Sequence, residues 1–106
     1  MIHAELFCHN SQVTGFCVRG HAGYSESGSD VVCAGVTTAV QLTANGITEC
    51  ACVPANVEVK ENEVRLELPQ NCSDVVALKM LEAFELQLKL LSSDYGMYIE
   101  LVYSEV

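Results

Sequence analysis

The chain has no tryptophan, two prolines, and five lysines plus arginines among its 106 residues. Against those few cations stand fourteen Asp and Glu, for a formal net charge of −9. Phosphate contacts need clustered Lys and Arg, so nucleic acid is not expected as a direct ligand. No apolar run in the sequence approaches the ~20 residues of a membrane-spanning helix, so no membrane partner is expected. The opening "MIHAELFCHNSQ" lacks a basic region followed by a long apolar one, which predicts no signal peptide and a cytoplasmic protein. Cytosolic thiols stay reduced, so the six cysteines predict no disulfides. They also lack paired CxxC spacing; Cys50-x-Cys52 is half a metal motif without further ligands nearby, so neither a metal nor another cofactor is expected. Most of these cysteines read as small buried hydrophobes.

Half of the residues are apolar, enough for one globular domain over residues 1–106. The negative charge suits a basic partner such as a cationic peptide tail, and equally a plain solvated surface. Ile2, Ala4, Leu6 and Cys8 alternate with His3, Glu5, Phe7 and His9, the period of a strand. "HNSQ" is turn chemistry, and residues 13–19 read as a second strand with a possible bulge at Gly15, so the pair predicts a hairpin. From Asp30, Val32, Val36, Ala39, Val40, Thr43 and Ile47 recur at helical spacing. Asp30 (or Ser29) is the expected N-cap, which puts Cys33 in the first turn of a largely buried helix. Residues 56–60 and 63–68 alternate around "KENE", with Val57, Val59, Val64, Leu66 and Leu68 on one face. Pro69 ends that hairpin. Asn71 predicts the cap of a second helix over residues 72–92, with Ala77, Leu81, Phe84, Leu88 and Leu91 as its core stripe. Met97, Ile99, Leu101 and Tyr103 predict a last strand. The order is ββαββαβ, an α+β two-layer domain with a mainly antiparallel sheet and two helices.

"GHAGYSESGSDVVCAG", residues 20–35, places His21 and Cys33 at the two ends of a polar run. Thiolate is the reactive form of cysteine, and a helix start with an imidazole nearby favours it. First-turn N–H groups can also hold a developing oxyanion. From spacing alone two readings stand: a nucleophile with its base, or two unrelated structural residues. His3 and His9 are candidates for a surface pair, with exposed edge positions preferred. Ser25, Ser27 and Ser29 read as loop solubilisers.

The stretch resembles the signature of the ribosomal-processing cysteine proteases, the Prp family. Gly20, His21 and Ala22 match a first block; Gly28, Asp30, Val31, Val32, Cys33, Ala34 and Gly35 match a second. Thr37 stands where the family often has Ser, which keeps a hydroxyl. Length and element order extend the resemblance over the whole chain. The resemblance implies a cysteine endopeptidase that removes a short N-terminal extension from a basic large-subunit ribosomal protein, cutting just after aromatic residues. It implies His21 as general base, Cys33 as nucleophile and Asp30 as helix cap and support, with Gly20 and Thr37 beside them. The loop from Gly23 through Ser25 to Gly28 is expected to close over the peptide as a lid. The family resemblance also implies a homodimer.

Two other functions compete. A non-catalytic, ribosome-associated module would bind the same basic tail without needing either His21 or Cys33. A thiol redox protein would need a resolving cysteine two or three residues from Cys33, and the sequence has none there.

Overall fold

Strand β1 (Ile2–His9) and strand β2 (Gln12–Arg19) form the expected hairpin, followed by helix α1 (Ser27–Asn45). A π-helical turn (Gly46–Cys50) continues α1, and β3 (Asn56–Lys60), β4 (Glu63–Glu67), α2 (Val75–Asp94) and β5 (Ile99–Glu105) complete the chain. The computed structural model describes the backbone of residues 1–20 and 27–106, and the side chains of residues 1–20 and 31–106. The five strands lie in the order β3-β4-β2-β1-β5. All neighbours run antiparallel except β5, which is parallel to β1. That parallel pair requires a crossover, and α2 provides it. The α+β architecture and the ββαββαβ order are as the sequence predicts.

Alternation along each strand sorts side chains between the two faces of the sheet. Cross-strand partners set Val18 beside Ala4 and Val64, and Val64 beside Val59. A second row runs Leu6, Phe16, Leu66, Val57. These rows form the helix-covered face. Phe16 and Phe84 of α2 meet there at a ring distance of 4.5 Å. Ile2, Leu6, Leu66, Leu81 and Leu88 are fully buried around them.

The bulge lies beside Gly15. Phe7 pairs with Gly15 and Cys8 with Val13, so Thr14 is the extra residue. Glycine is needed because a Cβ at position 15 would sit 2.4 Å from the Leu66 carbonyl oxygen and 3.1 Å from the Phe7 ring. On the face away from the helices Phe7 and Cys17 are nonetheless buried, and the Arg65 guanidinium lies 4.8 Å from the Phe7 ring centroid.

Several boundaries differ from expectation. Helix α1 begins at Ser27, so Asp30 lies inside it rather than capping it, and Gly28 belongs to the helix rather than to a loop. Cys33 is therefore in the second turn, not the first. Helix α2 begins at Val75; Asp74, not Asn71, is its N-cap, accepting a hydrogen bond of 2.9 Å from the Ala77 N–H. Asn71 has φ +61°, a left-handed turn conformation that keeps the chain out of a helix there. The last strand starts two residues later than Met97, because a turn with Tyr98 N–H donating to the Tyr95 carbonyl precedes it.

Helix α1 is also less buried than its composition predicts. Val32, Val36, Val40 and Thr43 are buried, whereas Val31 and Leu42 are exposed. In a two-layer domain one side of a helix meets the sheet and the other meets solvent. Residues 31–50 form one helical stretch that, by length and composition alone, is apolar enough to cross a membrane. Its inner stripe packs in the core with Ile47 and Val53, which is the position of a core helix.

Cysteine exposure is mixed. Cys17 is buried, Cys8, Cys33 and Cys72 are partly buried, and Cys50 and Cys52 are exposed; all six are free thiols. The expectation that most are buried holds for fewer than it should, because the turn after α1 projects Cys50 and Cys52 outward. Burial pushes the Cys17 thiol up, with Glu63 and Glu5 adding and Arg65 and Arg19 opposing. Burial likewise raises Cys8, with Glu85 and Glu105 adding. The unfolded chain then ionises first, so stability holds below the unfolded thiol value of about 8.5 and falls as pH rises through the folded value. The urea midpoint is expected to drop between pH 7 and pH 10, and by less in Cys17→Ala. An identical drop in both proteins would place the alkaline loss elsewhere.

Candidate active site

Helix α1 runs beside the β3–β4 hairpin and leaves a groove of about 310 Å³ between them. Val36 and Val40 of α1, Val18 of β2 and Val64 of β4 give it an apolar floor, and Cys33 and Thr37 line it from the helix. Lys60, Asn62 and Glu63 form its rim on the hairpin side. The helical period explains the α1 contribution: positions 33, 36, 37 and 40 fall on one face. The hairpin contribution comes from register, since Val64 pairs with Val18 and sits in the same row.

Gly20 closes one end of the groove. Its φ of +93° is glycine territory, and its N–H donates to the Asn62 carbonyl at 2.9 Å. A Cβ there would stand 2.6 Å from the Met1 carbonyl oxygen. Gly20→Ala is expected to lower stability by about 1–3 kcal/mol through backbone strain, read as a lower urea midpoint. An unchanged midpoint would mean that this end of β2 relaxes freely.

Of the residues that the sequence singles out, the structure brings Gly20, Cys33 and Thr37 to one groove. His21, Gly23 and Ser25 lie outside the described residues, as do Ala22, Tyr24 and Glu26. Asp30 and Gly28 have their backbone in the first two turns of α1. Unpaired N–H groups belong to the first turn of a helix. That turn starts at Ser27, so the N–H groups of residues 31–33 lie within α1 and not at its free end.

His3 and His9 do not form a pair. His3 Nδ1 lies 2.8 Å from Glu100 Oε1 on β5, and His9 Nδ1 lies 3.1 Å from the Val106 carbonyl oxygen. They sit at opposite ends of β1. Among the described residues, no three His, Cys, Asp or Glu cluster in a way that could hold a metal ion. Sequence reading missed Gln41, Lys60, Asn62, Glu63 and Val64 as groove residues. Helical spacing could have found Gln41, one turn beyond Thr37 on α1, but nothing in local spacing signals the other four, because β4 must first pair with β2 to bring them beside α1.

The model of the cysteine protease Prp family matches residues 1–100. No curated protein matches the sequence. Among solved structures, SMU.848 from Streptococcus mutans is similar with a TM-score of 0.89 and 23% identity, over 100% of this chain and 96% of that one. The ribosomal processing protease Prp from S. aureus, in complex with a substrate peptide, is similar with a TM-score of 0.87 and 20% identity. That match covers 98% of this chain and 100% of the S. aureus chain. The same S. aureus protease with a covalently linked product peptide is similar with a TM-score of 0.85 and 22% identity, with the same coverage. With its family signature spread over nearly the whole domain and Cys33 in an open groove, the chain belongs to the Prp family of cysteine proteases.

Proposed function

We propose that this cysteine peptidase removes a short N-terminal extension from a basic large-subunit ribosomal protein, with Cys33 as nucleophile and His21 as general base. The observation that carries this is the position of Cys33 on the wall of a groove with an apolar floor, open to an extended peptide. The S. aureus Prp structures, one with a substrate peptide and one with a covalently linked product peptide, support a peptide substrate and a covalent step.

In this reading His21 takes the Cys33 thiol proton, and the thiolate sulfur attacks the scissile carbonyl. The tetrahedral intermediate collapses as His21 returns the proton to the leaving amine, leaving a thioester. Water, deprotonated by the same imidazole, then hydrolyses the thioester and restores the thiol. Thr37 stands one helical turn beyond Cys33 on the same groove and supplies a hydroxyl to the bound peptide. Gly20 fixes the chain direction just before His21. Asp30 supports the dyad from the turn before Cys33. The loop containing Gly23 and Ser25 closes over the aromatic residues that precede the cut. The acidic surface speeds encounter with a basic substrate, and the enzyme works as a cytoplasmic homodimer.

The test is a peptide spanning such an extension, incubated with the protein and weighed by mass spectrometry. Two fragments that meet after an aromatic residue are expected, and they should be lost in His21→Ala. A peptide that binds and stays whole would instead make this a tail-binding module.

A further inference from the structure

The sheet ends on one side at β3, where all five residues are exposed. Its neighbour among the described residues is β4, through the register Lys60–Glu63, Glu58–Arg65 and Asn56–Glu67, with Val59–Val64 and Val57–Leu66 between. A turn of two residues, Glu61 and Asn62, makes Lys60 and Glu63 a hydrogen-bonded pair. Pairs alternate, so Glu58 and Asn56 also bond inward to β4. Val57 and Val59 therefore aim their backbone N–H and C=O groups off the sheet. An extended edge of this kind is a template for another strand.

Two further features set this edge apart from β5, which lies on the far side of β4, β2 and β1. First, it continues the groove. Val59 stands next to Val64 in the row that forms the groove floor, and Val59 is 74% exposed where that row runs out to the edge. Second, the charge is acidic. Glu58, Glu61 and Glu63 surround Lys60 here, while Arg65 is engaged by Glu67 at 2.7 Å.

We infer that the β3 edge captures the substrate as an added strand, a use that rests on the peptidase reading above. Val57 and Val59 exchange backbone hydrogen bonds with an extended, basic peptide. Alternate apolar side chains of that peptide lie beside Val57 and Val59 on the groove side, and its cations lie toward Glu58 and Glu61. Past Lys60 the peptide leaves the edge and enters the groove at Cys33. Selectivity for an unfolded tail follows, because a folded segment has no free backbone to offer.

The test uses Val59→Pro, which removes an outward N–H and leaves the β4 ladder intact, a position where an edge strand tolerates proline. The probe is a synthetic peptide that alternates Leu with Lys and carries two Phe before the cut. KM is expected to rise up to roughly tenfold, the loss of one hydrogen bond, with kcat nearly unchanged. Val59→Thr keeps the N–H, so its KM should rise far less than that of Val59→Pro. In Cys33→Ser saturated with the same peptide, hydrogen exchange should slow at the Val57 and Val59 amides and not along β5. Parental KM in a folded Val59→Pro, or unchanged exchange at Val57 and Val59, would overturn the inference while leaving the peptidase standing. Failure of the peptidase reading looks different, with the parent protein leaving the peptide whole. In that case the exchange measurement on its own decides for or against the edge.

Discussion

Cys33→Ser is expected to fold like the parent and to lose peptide cleavage by roughly three orders of magnitude or more in kcat. The substitution changes one atom of a partly buried side chain at the wall of an open groove, so packing loss is small. The chemical loss is large, because a hydroxyl is ionised far less readily than a thiol and is the weaker nucleophile. Exposure alone does not single out Cys33, since Cys50 and Cys52 are more open to reagents. Cys50→Ser and Cys52→Ser, which lie outside the groove, should cleave at the parent rate. A Cys33→Ser protein with parental kcat, or a Cys50→Ser protein without activity, would move the nucleophile.

Phe84→Ala should give the largest stability loss, about 3–5 kcal/mol. Phe84 is 2% exposed and holds α2 to the sheet through Phe16, its ring partner at 4.5 Å. Truncation leaves a cavity walled by Phe16, Leu81 and Leu88, on rigid elements that collapse little. Domains of this size are stable by about 5–15 kcal/mol, so the variant gives up a large share of the total. Urea denaturation is the measurement, with Leu86→Ala as the control, because Leu86 is 60% exposed on the same helix. Equal midpoints for the two variants would show that α2 contributes little to the cooperative core.

Both predictions concern residues whose importance the sequence signals, Phe84 by helical period and Cys33 by the second block of the family signature. Alternation in residues 2–8, 56–60 and 63–67 was enough to place three strands and their inward faces, since side chains follow a period of two wherever one face is buried. Helix ends were less legible. Asn71 suits a cap by residue type, but its left-handed φ keeps it out of that position, and Asp74 takes it. The start of α1 at Ser27 shifted Asp30 and Cys33 inward by about one turn, a difference that residues 27–30 do not reveal by periodicity.

By itself the sequence determined the order of elements, the inner stripe of each helix and the position of the one cysteine that the family signature marks. Only the tertiary structure decided what stands across from that cysteine. Lys60, Asn62, Glu63 and Val64 reach the groove because β4 pairs with β2, and that pairing joins residues more than forty positions apart. The same register turned Val57 and Val59 into an open edge and Glu58 into a closed one. Local propensity acts over a few residues and cannot specify such contacts; they form when the whole apolar surface finds the one sheet order that buries it.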